Sequence, residues 1–195
     1  YISASFLNSC ISYNNALESY NQAKVQTEID KHTQITQQAE IASQKFSNIS
    51  TEYDNKRHQY DQTATELNNK MSILEERGNV ASATWYSRLA KNEESSKDNL
   101  IQKRASLIKE LNDSVKNGDI AYKSEKWYEM RSQIDDVTNS IDEATKALAE
   151  YNNQMLQVHW DRIDERANKV QNLIDENNFV IDELSRRELT SDDTG

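Results

Sequence analysis

The side chains that most often do chemistry are few here and poorly spaced for it. The 195-residue chain has three histidines, His32, His58 and His159. Glu28 and His32 are four apart, and so are Asp54 and His58, so on a helix each pair shares one face. The Glu-x-x-His spacing that builds a di-iron bundle is absent. Both pairs read as surface or seam pairs rather than metal sites, with His32 a packed seam residue. Acidic doublets recur at Asp135-Asp136, Asp142-Glu143, Asp164-Glu165, Asp175-Glu176 and Asp182-Glu183. Adjacent helical residues point about 100° apart, so a doublet cannot converge on one hydrolytic centre. These residues read instead as a solvated face that keeps helices soluble and discourages wrong pairing. No phosphate-binding glycine loop and no nucleophile elbow occurs. The single Cys10 excludes an internal disulfide and reads as a packing thiol on a helix face. The expectation is no enzyme, with no catalytic, cofactor-binding or metal-ligating residues.

The elements that carry these residues follow from the breakers. Proline is absent, and glycine occurs three times, at Gly78, Gly118 and Gly195. Two internal breakers in a chain of this length predict long helices joined by two reversals. Hydrophobic residues make up 35% and charged residues 29%, with a mean hydropathy of −0.95. That composition supplies a narrow apolar stripe on each helix rather than a thick core. Disorder is the competing reading of low hydrophobicity and high net charge, but such chains are rich in Pro and Gly and lack sustained heptads. The net charge of −10 argues against nucleic-acid backbone and anionic membrane as partners, since both select Lys/Arg patches. No stretch approaches the ~18 apolar residues of a membrane span, and no signal peptide is visible. With no initiating Met, the sequence is expected to be a fragment of a larger protein.

The fold class expected is all-α, with long antiparallel coiled-coil helices in three segments and two reversals. The first covers 1–77, with a seam through Phe6, Cys10, Tyr13, Leu17 and Tyr20. After a slip the seam follows Val25, Ile29, His32, Ile35, Ala39, Ala42, Phe46, Ile49 and Tyr53, then Lys56, Tyr60, Ala64, Leu67, Met71 and Leu74. Steps of three and four are helical spacing. Gly78-Asn79 forms the first turn, after a basic residue at Arg77. The second segment, 82–117, starts with Ser82 or Thr84 as its cap. Its apolar face is Trp85, Tyr86, Leu89, Leu100, Ile101, Leu107, Ile108, Leu111 and Val115. No apolar residue falls between Lys91 and Asn99, which predicts the weakest or most water-exposed stretch.

Gly118-Asp119 makes the second turn, and Ser124 caps the third segment, 124–187. Its seam runs Trp127, Met130, Ile134, Val137, Ile141, Ala144, Leu148, Tyr151, Met155 and Val158. It slips by one residue and resumes at Ile163, continuing to Leu184; such a slip changes local winding and partner register. Residues 188–195 read as a frayed tail. Segment two, about 36 residues and ~54 Å long, matches 42–77 and 124–159 in length. An antiparallel three-helix region therefore fits, with 1–41 and 160–186 projecting; end-to-end helices spanning at most ~290 Å are the rival geometry. Trp85, Tyr86, Trp127, Trp160 and Phe179 are the expected packing anchors, and the tryptophans alternatively dock a partner.

Several blocks carry a family resemblance. They are Asn117-Gly118-Asp119-Ile120, Ser124-Glu125-Lys126-Trp127-Tyr128-Glu129-Met130, Ile134-Asp135-Asp136-Val137, Trp160-Asp161-Arg162-Ile163-Asp164 and Phe179-Val180-Ile181-Asp182-Glu183-Leu184-Ser185. Together with the turn at Glu76-Arg77-Gly78 and Trp85-Tyr86, they resemble the central coiled-coil region of tail tape-measure proteins from long-tailed bacteriophages and prophages of Gram-positive bacteria. The resemblance covers about 75–190, and Ile163 stands where the pattern has an aromatic. It implies a structural ruler that sets tail length and scaffolds tail-tube assembly. It also implies self-association, to a trimer in the tail, with tail-tube protein and assembly chaperones as partners. The location implied is the virion tail lumen, and the host bacterial cytoplasm during assembly. Neither specific nucleic-acid binding nor a cofactor is implied. Two other readings stay open: a helical receptor-binding or translocation hairpin of a bacteriocin or secreted effector, and a spectrin-like spacer. No second repeat is visible for the spacer.

Overall fold

A computed structural model describes residues 3–78 and 82–192, with side chains placed through Arg187. The protein is all-α: α1 spans Ala4–Glu76, α2 Ala83–Asn117 and α3 Glu125–Asp192, in antiparallel succession. No strand occurs among the described residues. Each start has a physical cause. The Phe6 amide donates to Ser3 Oγ at 3.3 Å, and the Trp127 amide donates to Ser124 Oγ at 3.3 Å. These hydroxyls satisfy amides that have no partner within the helix. Ser82, not Thr84, occupies the cap position before α2. Helix α3 continues to Asp192, past the expected end at 187.

Both described glycines end a helix in the left-handed region, Gly78 at φ 80° and Gly118 at φ 79°. A side chain there would be strained, which is why glycine follows the last turn. At Gly118 the stop is a full Schellman motif. The Asp119 amide donates to the Ser114 carbonyl at 2.9 Å and the Gly118 amide to the Val115 carbonyl at 3.1 Å. Ile120, just beyond, is buried, and its amide also donates to the Ser114 carbonyl at 3.2 Å.

The chain forms two compact units, residues 1–56 with 99–140 and residues 57–98 with 141–195. In the first, Ala42 and Phe46 of α1, Leu100, Leu107 and Leu111 of α2, Ile120, and Met130, Ile134 and Val137 of α3 are buried. Non-directional burial of these stripes provides the main favourable term. Every described residue from 3 to 38 in this unit is exposed. Its expected seam residues Phe6, Cys10, Tyr13, Leu17, Tyr20, Val25, Ile29, His32 and Ile35 therefore pack against nothing described here. Cys10 and His32 are corrected accordingly from packed to exposed.

In the second unit, Leu89, Ile141 and Ala144 are buried, and Tyr60, Ala64, Leu67, Met71 and Leu74 of α1 are half-buried. The seam enters this unit at half-buried Arg57; Lys56, the position expected, is exposed. Burial along α3 ends at Val158, and residues 159–182 are all exposed. The one-residue slip after Val158 thus falls where packing stops. No described helix is long and apolar enough to cross a membrane.

Candidate functional site

The stretch between Lys91 and Asn99 is not the most water-exposed part of α2. Ser96 and Asn99 are buried, as is Lys103 one turn on. Polar side chains take over the packing face here, and Asn92, Asn99 and Lys103 make hydrogen bonds across to α1.

In the first unit the contacts converge on two consecutive residues of α1. Asn99 Nδ2 donates to the Tyr53 carbonyl at 3.0 Å. Lys103 Nζ pairs with Asp54 Oδ1 at 2.6 Å. The Tyr53 and Ser106 hydroxyls share a hydrogen bond at 3.1 Å. Asn99, Lys103 and Ser106 lie at spacings of four and three, so they form one face of α2. The Lys103 stem lies along the core while its head meets a carboxylate at the boundary. Among the described residues no buried side-chain polar atom lacks a partner, as burial of polar groups requires.

The second unit repeats the asparagine contact: Asn92 Nδ2 donates to the Tyr60 carbonyl at 2.9 Å. Asn92 and Asn99 are seven apart, as are Tyr53 and Tyr60, in opposite order along antiparallel helices. Glu93 lies half-buried beside them. Burial holds its carboxyl above the usual carboxylate range; Arg57 pulls it down and Asp61 pushes it further up. Burial likewise raises the Tyr151 hydroxyl, with Glu93 and Glu150 adding to the effect.

The second reversal is an aromatic corner. Tyr122 and Trp127 meet edge to face with centroids 5.1 Å apart, and Tyr128 stands against Trp127 at 5.0 Å. Tyr122 and Trp127 border a cleft of about 240 Å³ floored by Leu111, Val115 and Ile134, with Lys116 and Arg131 beside it. Arg131 is engaged by Asp135 at 3.1 Å. Among the described residues, no histidine, cysteine or carboxylate lines the cleft.

The turn residues Gly118 and Asp119 close α2, and Gly78 closes α1. Asn79 lies outside the described residues. Trp85 and Tyr86 are half-buried in the first turn of α2, with the Arg88 guanidinium 5.5 Å from the Trp85 ring centroid. Trp160 and Phe179 are 60% and 69% exposed, and do not serve as packing anchors within the described chain. The acidic doublets are exposed apart from half-buried Glu183. No three described His, Cys, Asp or Glu side chains gather as a metal site.

Asn92, Ser96, Asn99 and Lys103 were not marked by apolar periodicity, which registers polar residues only as gaps. The signal available was the heptad spacing shared by the two asparagines and the two Tyr-Asp pairs, Tyr53-Asp54 and Tyr60-Asp61. No family model, curated protein or solved structure matches the chain.

Proposed function

We propose that this chain is a segment of a helical ruler that sets tail length in a long-tailed bacteriophage or prophage and scaffolds assembly of its tail tube. The observation that carries the reading is uninterrupted helix length. Helices α1 and α3 have 73 and 68 residues, against a mean near 12 in globular proteins. An α-helix converts residue number into distance at a fixed 1.5 Å per residue, which is the physical requirement for a ruler. The tape-measure resemblance of the Trp127 and Trp160 blocks supports the same reading. An acidic surface, with net charge −10, lets DNA pass without capturing its phosphates.

In this reading self-association and tail-tube contact use the apolar residues left exposed in 3–38 and 160–187. Gly78 and Gly118 act as hinges, folded back in the free segment and straightened in the tail. Distance labels on both sides of Gly118 test the hinge: equal distances in the free protein and the assembled tail would rule it out. In-frame removal of the helix pair α2–α3 from the phage gene tests the ruler itself. Shorter tails are expected, and unchanged tail length contradicts the reading.

Exposure of Trp160 and Phe179 favours a second reading, a helical receptor-binding or translocation hairpin, because exposed aromatics are typical interface anchors. Specific binding of the isolated chain to a bacterial envelope protein would support it over the ruler.

A further inference from the structure

We propose that Asn99, Lys103 and Ser106 form a register lock that fixes α2 against α1 in the first unit. Apolar burial is non-directional, and the α1 seam is periodic in heptads. Sliding α2 by seven residues, about 10 Å, carries seam position onto seam position. Ala42 exchanges with Ile49, and Phe46 with Tyr53. Apolar pattern alone therefore discriminates weakly between registers, and a polar residue at a seam position is a known way to specify one.

The three contacts differ in what they read. Asn99 bonds a backbone carbonyl, which every residue offers, so it selects helical phase rather than heptad. Lys103 on Asp54 and Ser106 on the Tyr53 hydroxyl read side chains. A slide of one heptad in one direction sets Lys103 against Ser47, leaving a buried ammonium without a carboxylate, a strongly unfavourable state. In the other direction it meets Tyr60-Asp61, a copy of Tyr53-Asp54. That is the one competing register the polar code permits. It is opposed because the site filled by Phe46, which is buried, would have to take the Tyr53 hydroxyl.

The test places spin labels on cysteines at exposed Lys45 and Lys109 in the full chain carrying Cys10→Ser, and reads the distance distribution. The parent is expected to give one narrow distance. Asp54→Ser leaves Asp61 as the only carboxylate one heptad from position 54, and is expected to add a second distance from chains displaced by one heptad. The triple variant Asn99→Leu, Lys103→Met, Ser106→Ala is expected to remain helical and to give two or more distances. Asp54 is largely exposed, so its variant reads register even if the triple variant does not fold. An unchanged single distance with Asp54→Ser overturns the proposal, as does a folded triple variant with the parent distance.

Discussion

Lys103 is bonded to Asp54 at 2.6 Å across an asymmetric environment, with the lysine side chain 8% exposed and the aspartate 54% exposed. The burden of burial falls on the cation. Removing the carboxylate should therefore cost more than removing the lysine. Asp54→Ala leaves a buried donor without its partner and is expected to destabilise by about 1–3 kcal/mol. Lys103→Met keeps the stem volume and removes the charge, and is expected to be neutral or stabilising. Chemical denaturation of both variants checks this; equal losses would contradict it.

The two asparagine contacts should differ in weight. Asn99 is buried and Asn92 only half-buried, so water replaces the lost bond more readily at position 92. Asn99→Ala is expected to cost roughly 1–2 kcal/mol and Asn92→Ala under about 1 kcal/mol. Thermal unfolding followed by circular dichroism ranks them, and a larger loss at Asn92 would be the contrary result.

Gly118 isolates a backbone effect. Its φ is +79°, yet a Cβ built there meets nothing within 4 Å. Gly118→Ala should therefore lose stability through left-handed strain alone, about 1–2 kcal/mol. Gly118→Asn should lose less, because asparagine tolerates this conformation. Equal losses in denaturant melts would place the penalty elsewhere.

Glu93 predicts a pH dependence of defined sign. Burial raises its folded-state pKa above the unfolded value, so proton binding favours the folded state. That contribution is complete below the ordinary carboxylate range and is lost as pH rises through the raised folded value. Glu93→Gln is uncharged throughout. It should raise Tm slightly at neutral pH, the effect being small because the group is partly exposed, and the gain should vanish in acid. A lower Tm at neutral pH would mean that the Arg57 attraction outweighs burial.

The sequence disclosed which face of each helix is apolar. It did not disclose whether a partner covers that face. All ten seam positions of α3 from Trp127 to Val158 are buried or half-buried, and the α1 seam from Ala39 to Leu74 holds except that Arg57 replaces Lys56. Periodicity is a property of one helix, so it reads equally well for Ile29 or Ile174, which are exposed. The polar contacts were illegible for a different reason. A buried Asn99 depends on a carbonyl in another helix, and nothing local to residues 91–99 indicates that α1 supplies one. The turns were legible because φ at Gly78 and Gly118 is a local demand.

Tail length against residues removed is the most direct test of the ruler. In-frame deletions of one, two and three heptads within residues 7–34 avoid both turns and every buried position. Tails shorter by ~1.5 Å per residue removed are expected, measured by electron microscopy on virions large enough in number to resolve the slope. Tails of unchanged length across the series would contradict it.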